Sequence, residues 1–295
     1  MDIENIVNEE GLGFVKSLEK NSIDLVLADP PYITSHSTGM DLWVDHIKAR
    51  KAAPSAYRTE AQFNNLKTQQ EWDEWLTNGG HLTSKQRDSA LKQAKKNFLE
   101  YGSIYGSKYA VKTNYGNWDK QFTTAMLEDF VKEFYRTLRK GGTCIIFFDV
   151  WKISFLHQAM MRAGFKQLRM IEWIKTNPQP LNSSVNYLTN AREIAVLGVK
   201  GSKPTFNSKY DNGLYHFPLQ GGKYRIMPTQ KSTKLYEAII EKHSNIGDTI
   251  LDPFLGAGTT VVAAHNTSRK VIGCEVREEM YQQMLERVRG ELGAS

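Results

Sequence analysis

The sequence predicts an α/β fold built on a doubly wound, mostly parallel sheet. Short apolar runs that end in turn residues alternate along the chain with segments of helical periodicity. Proline-rich or glycine-rich turns directly follow two of these runs, which is typical of the carboxyl ends of parallel strands. Residues 33–112 contain no convincing strand and interrupt the alternation. A stretch of this length predicts a largely helical insertion rather than a simple loop.

Each predicted strand is a short run of apolar residues. In chain order the runs are residues 3–7, 23–28, 143–148, 168–174, 193–199, 249–251 and 271–275. Apolar residues three and four positions apart predict a helix over residues 127–138, which we expect Gly141-Gly142 to stop. A second helix is predicted over residues 83–99, because Thr83 and Gln86 have the spacing of a capping box. Strands that alternate with helices predict helices on both faces of the sheet.

Basic charge is concentrated in two segments of the chain, whose net charge is +6. Residues 33–112 carry 12 Lys and Arg against 8 Asp and Glu, and residues 178–226 carry 6 against 2. Such segments suit contact with a polyanion such as DNA. A lysine-rich surface that only aids solubility would give the same charge balance.

Composition excludes several classes of protein. The two cysteines, Cys144 and Cys274, lie in apolar runs and cannot build a disulfide framework or a zinc site. The seven histidines show no metal-ligand spacing, so we expect no metal. No apolar run approaches the roughly 20 residues that cross a bilayer, and the acidic N-terminal residues are unlike a secretory signal. We therefore expect a cytoplasmic protein that is not in a membrane.

The first motif is Asp29-Pro30-Pro31-Tyr32, which directly follows the predicted strand at residues 23–28. The two prolines fix the backbone and remove two amide donors, so the local carbonyl groups are left to accept hydrogen bonds. Asp29 adds a carboxylate acceptor, and Tyr32 adds a flat aromatic face. The combination suits a planar group that carries an NH2, such as a flipped-out adenine or cytosine. Taken alone, Asp-Pro-Pro is equally typical of a strand-terminating turn.

The second motif runs from Asp252 to Thr260, between a predicted strand and a predicted helix. Gly256 and Gly258 allow a tight turn and the close approach of a ligand to the backbone, as in many nucleotide-type cofactor sites. Glu275 lies about twenty residues further on, where a carboxylate can accept hydrogen bonds from ribose hydroxyls. The two features together indicate a cofactor that contains adenosine.

The third motif is Pro228-Thr229-Gln230-Lys231-Ser232, just before a predicted helix. Thr229 and Lys231 are suited to hold the carboxylate of an amino-acid tail near the N-terminus of that helix. By itself the segment is also typical of an ordinary basic helix start.

The order of the three motifs carries a family resemblance. The chain resembles the β-class DNA amino-methyltransferases, in which a DPPY motif precedes an FxGxG motif and a PTQK segment stands just before FxGxG. The matching residues are 29–32, 254–258 and 228–231, with lesser matches at Asn117-Trp118-Asp119, at residues 140–142 and at residues 173–178. The chain departs from the family where Glu10 replaces a cofactor-contacting Asp and where Ser232 replaces a proline.

The resemblance implies a seven-stranded Rossmann-like methyltransferase sheet with one antiparallel strand, S-adenosylmethionine as cofactor and DNA as partner. Residues 1–32 and 113–295 are the predicted catalytic domain, 33–112 a lid or DNA-contacting subdomain, and 178–226 target-recognition loops. The predicted catalytic residues are Asp29, Pro30, Pro31 and Tyr32. The predicted cofactor-binding residues are Glu10, Asp29, Thr229, Lys231, Asp252, Phe254, Gly256, Gly258, Thr259, Thr260 and Glu275. The predicted DNA-binding residues are Lys92, Lys95, Lys96, Lys175 and Asn177.

The expected reaction is direct transfer of a methyl group to N6 of adenine, because Asp at the first motif position goes mostly with adenine in enzymes that resemble this one. N4 of cytosine is the closest alternative, and RNA or protein amines also remain open. An NAD oxidoreductase would leave the first motif unexplained, whereas a catalytically silent nucleic-acid-binding module would leave no use for the intact Asp29 and Tyr32. C5-cytosine methylation needs a reactive thiolate, which cysteines inside strands do not offer. A companion restriction endonuclease and a homodimer are left open.

Overall fold

The computed structural model describes residues 5–32, 60–77, 83–101, 104, 122–178 and 190–293. The chain divides into two compact units, one formed by Met1–Ile33 with Gly116–Ser295 and the other by Thr34–Tyr115. Asn117-Trp118-Asp119 and parts of the predicted insertion and recognition loops lie outside the described residues. The three sequence motifs all fall in the first unit.

The described strands of the first unit form one sheet. They are β1 (Ile6–Val7), β2 (Ile23–Ala28), β3 (Leu138–Phe148), β4 (Lys166–Lys175), β5 (Arg192–Val199), β6 (Leu214–Phe217), β7 (Thr249–Asp252) and β8 (Lys270–Cys274). The strand order is β1-β8-β7-β2-β3-β5-β4-β6. Of these strands only β5 runs antiparallel to its neighbours, which confirms the predicted α/β class and its single reversed strand. β2 pairs with β7 in parallel, so the strands that lead into the first two motifs are adjacent.

The eighth strand is a difference from the seven that the sequence predicts. β6 lies inside the segment predicted to form loops and pairs in parallel with β4 at the edge of the sheet. Its four residues are too few to show a clear period, and His216 interrupts the apolar run. Only Tyr215 is fully buried, so the alternating burial that marks a strand in the sequence is weak here.

The described helices are α1 (Gly11–Ser17), α2 (Glu60–Asn64), α3 (Gln69–Thr77), α4 (Ser84–Tyr101), α5 (Thr124–Thr137), α6 (Ile153–Ala163), α7 (Thr233–His243), α8 (Thr259–Asn266) and α9 (Glu278–Leu292). α5 ends at Thr137 and β3 begins at the next residue, so Gly141-Gly142 lie within the strand and do not stop the helix as predicted. α4 is confirmed, and the Thr83 amide donates to Gln86 Oε1 as the capping box predicts. No helix in the described part of the chain is long and apolar enough to cross a membrane.

Both faces of the sheet are buried. Along β2, Leu25 and Leu27 belong to one hydrophobic cluster, while Val26 and Ala28 belong to another. The first cluster is completed by α7, α8 and α9, and the second by α1, α5 and α6. Because side chains alternate between the faces of a strand, a strand that is covered on both sides must be apolar at almost every position. In β2 the one polar side chain, Asp24, lies next to the start of the strand.

The second unit has a small apolar cluster of its own. Phe63 of α2, Trp72 of α3 and Ala94 of α4 are its buried members. Lys95 pairs with Glu60 at 2.9 Å, which ties α4 to α2. The exposed Lys92 and Lys96 leave positive charge on the surface of α4.

Candidate active site

The predicted site residues gather at the carboxyl edge of the sheet. Asp29 directly follows β2, Asp252 is the last residue of β7, and Glu275 directly follows β8. These three strands are parallel, so their carboxyl ends meet at one edge. Because β5 is reversed, its second residue, Glu193, lies at the same edge, and Lys175 ends β4 there.

Four charged side chains of alternating sign form a chain of ion pairs, which we call the charge cluster. Lys231 Nζ lies 2.6 Å from Asp29 Oδ2 and 2.8 Å from Glu193 Oε2. Lys175 Nζ lies 2.8 Å from Glu193 Oε1. Both lysine side chains are buried, at 6% and 7% exposure, so these ion pairs are shielded from solvent far more than surface pairs.

Asp29 has one engaged and one unengaged carboxylate oxygen. Oδ2 accepts a hydrogen bond from Lys231, whereas Oδ1 is buried and has no hydrogen-bond partner among the residues that the structure describes. A buried acceptor without a donor carries a free-energy penalty and marks a position where a ligand donor is favoured. The side chain as a whole keeps 24% exposure, so a ligand can reach it.

Burial and the neighbouring charges set the protonation of the charge cluster. Burial raises the pKa of Asp29 above its ordinary value, although Lys231 opposes this. Burial also favours the neutral forms of Glu193 and Lys231, but their mutual attraction and the other partners outweigh it, so the pKa of Glu193 is lowered and that of Lys231 is raised. Lys231 is therefore a permanent cation beside a carboxylate that is harder to ionise than usual.

Tyr32 is held at the entrance to the charge cluster by contacts on both its ring and its hydroxyl. Its ring meets Phe148 edge to face with centroids 6.1 Å apart, and its hydroxyl donates to Glu193 Oε2 at 3.4 Å. Burial and the nearby carboxylates of Asp29 and Glu193 raise the pKa of Tyr32 well above its ordinary value. The phenol stays neutral and offers an aromatic face next to Asp29.

The turn after β7 is shaped by Asp252. Its Oδ1 accepts from the Phe254 amide at 2.9 Å, and its Oδ2 accepts from the Thr260 hydroxyl. Burial raises the pKa of Asp252 to about 7, against the lowering effect of these hydrogen bonds. Phe254 packs on Phe130 with ring centroids 4.8 Å apart. Asp252, Phe254 and Thr260 thus fix the turn itself, which carries Gly256 and Gly258.

The residues around this turn fit a cofactor that contains adenosine. Glu275 Oε2 accepts from the Gly256 amide at 3.0 Å, and a carboxylate has further lone pairs for ligand hydroxyls. Around Gly256 the nearest atom to an added Cβ would be Met227 Sδ at 3.5 Å, so there is space beside the backbone. The first amides of α8, from Thr259 onward, have no partner within their own helix and can bind polar ligand groups.

Four of the predicted cofactor-binding residues have the following surroundings in the structure. Glu10 caps α1, because its carboxylate accepts from the amides of Leu12 and Gly13. Thr229 is exposed, and Thr259 Oγ1 donates to the Lys231 carbonyl at 3.3 Å. Lys231, predicted to hold an amino-acid tail, instead pairs with two carboxylates of the charge cluster.

Two of the predicted DNA-binding residues, Lys175 and Asn177, make contacts within the first unit. Lys175 is buried and pairs with Glu193, so in this arrangement its ammonium belongs to the charge cluster rather than to a surface that meets phosphate. Asn177 Oδ1 accepts from the Leu219 amide at 2.7 Å and fixes the backbone there. Glu193 opens a predicted strand but is not among the predicted site residues, although a charged residue at the start of an otherwise apolar strand is a usable signal.

Comparison with known proteins identifies the family of the chain. The model of a DNA methylase family, N6_N4_Mtase, matches residues 23–286. The chain belongs to this family. Like other members, it is a DNA methyltransferase whose cofactor is S-adenosylmethionine. The Type II methyltransferase M2.DpnII of Streptococcus pneumoniae is 31% identical over 211 residues, which are 62% of this chain and 75% of that protein. M2.MboI of Moraxella bovis is 31% identical over 202 residues, or 61% and 72% of the two chains.

Two solved structures resemble this chain over most of its length. The M1.HpyAVI–SAM complex has a TM-score of 0.57 at 20% identity, covering 96% of this chain and 98% of that one. PvuII DNA methyltransferase, described as cytosine-N4-specific, has a TM-score of 0.59 at 15% identity, covering 96% and 85%. At these identities the likeness concerns the fold.

Proposed function

We propose that this DNA methylase transfers the methyl group of S-adenosylmethionine to N6 of adenine in DNA. The observation that carries the proposal is the buried Oδ1 of Asp29, which lacks a partner among the described residues and lies beside the aromatic Tyr32. An exocyclic amine is a donor on a flat ring, so it matches both features.

Two acceptors prepare the amine for reaction. Asp29 Oδ1 accepts one amine hydrogen and the carbonyl of Pro30 accepts the other, which favours a more tetrahedral nitrogen with an available lone pair. Tyr32 stacks on the base and holds its plane. S-adenosylmethionine, when bound by Glu275 and the Gly256–Gly258 turn, would supply an electrophilic methyl group and leave as S-adenosylhomocysteine. The amine nitrogen gains the methyl group and releases one proton to solvent. Positioning and fixed charges provide most of the barrier reduction, and no covalent enzyme intermediate is required.

Adenine is preferred over cytosine because the first motif begins with Asp. In enzymes that resemble this one, Asp at that position goes mostly with adenine, whereas the strength of a carboxylate as an acceptor suits the amine of either base. The test is to methylate DNA containing all four bases with the purified protein, digest it and identify the modified nucleoside by mass spectrometry. N6-methyl-2′-deoxyadenosine is the expected product. N4-methylcytosine as the main product would overturn the choice of base, and an absence of methyl transfer would favour a catalytically silent DNA-binding module.

We further propose that the second unit contacts DNA through the lysines of α4. Lys92 and Lys96 are exposed, and the segment from 33 to 112 carries an excess of basic residues. The sequence leaves a companion restriction endonuclease and a homodimer open, and co-expression and light scattering would test for them.

A further inference from the structure

We propose that Lys231 and Glu193 are positioning residues: Lys231 clamps one oxygen of Asp29 so that the other faces the substrate amine, and Glu193 holds Lys231 in place. The inference rests on the proposed function, because it concerns how Asp29 is held for that reaction. It gives Lys231 a different task from the cofactor contact that its motif predicts. Lys175 completes the arrangement by holding Glu193 from the far side.

The ammonium of Lys231 has two carboxylates and two aromatic rings around it. Its ammonium lies within 2.6 and 2.8 Å of Asp29 and Glu193, and the rings of Tyr32 and Phe147 lie 5.6 and 5.4 Å away. A carboxylate that is bound through one oxygen by a buried cation cannot rotate freely. The unengaged Oδ1 of Asp29 therefore keeps one direction instead of sampling several, which is the pre-organisation that a hydrogen bond to a reacting amine needs.

The charges around Asp29 act on it with opposite signs. Lys231, from the segment before α7, favours the ionised carboxylate, whereas Glu193 on β5 disfavours it. The Asp29 carboxylate also interacts electrostatically with Tyr32, with Tyr236 on α7 and with Asp252 on β7. Lys175 on β4 acts through Glu193. Removing the charge of Lys231 should therefore raise the pKa of Asp29, and removing the charge of Glu193 should lower it. A general loss of structure would not produce shifts of opposite direction in the two variants.

Two substitutions use this difference in sign. Lys231→Met keeps the length and apolar stem of the side chain but removes the cation, so Asp29 should ionise at higher pH than in the wild type. Glu193→Gln keeps the shape but removes the negative charge, so Asp29 should ionise at lower pH. At neutral pH the turnover of Lys231→Met should fall on the order of 100-fold, the scale of a misplaced catalytic group. Its affinity for S-adenosylmethionine should change little.

Arg192→Gln is the matched control for Glu193→Gln. Arg192 is the neighbouring residue on β5, and its exposed pair with Glu172 at 3.4 Å lies outside the charge cluster. The substitution removes one charge at the same edge of the sheet, and its pH profile should match the wild type.

The titration of Asp29 is read in two ways, by the acid limb of the pH profile for turnover and by carbon-13 NMR of carboxyl-labelled aspartate in the full chain. The Asp29 resonance is assigned with Asp29→Asn. Opposite shifts in the two variants support the proposal. Shifts of the Asp29 pKa in the same direction in both variants, or no shift in either, would overturn it. So would a shift of the same size in Arg192→Gln. Lost cofactor affinity with unchanged turnover in Lys231→Met would also overturn it. If Lys231→Met does not fold, Glu193→Gln against its control decides. Because NMR does not require methyl transfer, a failure of the proposed function remains distinguishable.

Discussion

Replacing Gly258 with alanine should destabilise the fold through the packing of the β7–α8 turn against α9. Gly258 has a φ of +79° and precedes α8. A Cβ added there would lie 2.6 Å from Met284 Cγ and 3.0 Å from Val288 Cγ2, and both of these side chains are buried. The left-handed backbone costs about 1–2 kcal/mol for a residue with a side chain, and overpacking a core costs about 1–3 kcal/mol. The free energy of unfolding should therefore fall by about 2–5 kcal/mol.

Gly256→Ala is the matched control for this substitution. Gly256 also has a left-handed backbone, with a φ of +49°, but its added Cβ would meet nothing closer than 3.5 Å. Only the backbone cost of about 1–2 kcal/mol should then apply. The assay is thermal unfolding followed by circular dichroism, in which each kcal/mol moves the Tm by roughly 2–4 °C in a domain of this order of size. A Gly256→Ala protein that melts as low as Gly258→Ala would refute the packing argument.

Three further outcomes are expected from other parts of the molecule. Asp29→Ala should abolish methyl transfer while leaving the affinity for S-adenosylmethionine within a few-fold; turnover above a tenth of wild type, measured with radiolabelled cofactor, would contradict this. A variant with alanine in place of Lys92, Lys95 and Lys96 should show a shallower dependence of log DNA affinity on log salt, by up to about 0.9 per lost phosphate contact. Lys95 should contribute least because it pairs with Glu60. An unchanged slope would mean that α4 is a structural support. The pKa of Asp252, raised to about 7, means that the folded protein binds a proton there more tightly than the unfolded chain, so this group's contribution to stability is fully present at low pH and is lost as pH rises through about 7. Asp252→Asn should lack that part of the pH dependence in denaturant unfolding, and parallel curves for the two proteins would argue against a raised pKa.

The sequence predicted what is local and missed what is long-range. Asp29-Pro30-Pro31-Tyr32 and the turn at 252–260 each follow a strand directly, so residues adjacent in the chain were enough to locate them. The partner of Asp29 lies 202 residues away at Lys231, and that of Tyr32 lies 161 residues away at Glu193. Such pairs depend on the strand order, which places β2, β3 and β5 side by side and which no local pattern specifies. A motif could therefore name Lys231 as functional but could not say which group it touches.

The reversed strand explains why the charge cluster can form. Side chains two positions apart on a strand point to the same face of the sheet. Asp29 is two positions from Leu27, Glu193 from Ala195, and Lys175 from Trp173. These three apolar residues belong to the hydrophobic cluster that includes α7. In a wholly parallel sheet the first residues of β5 would lie at the opposite edge, about the length of a strand from Asp29. Reversal brings Glu193 to the carboxyl edge of the sheet. There it is paired with Trp173 of β4, and it lies one position beyond Ile194, the last residue of β5 that is paired with β3. Lys231 enters from the segment before α7 on that same face and joins the two carboxylates. The antiparallel strand thus supplies the negative charge that fixes the cation beside Asp29.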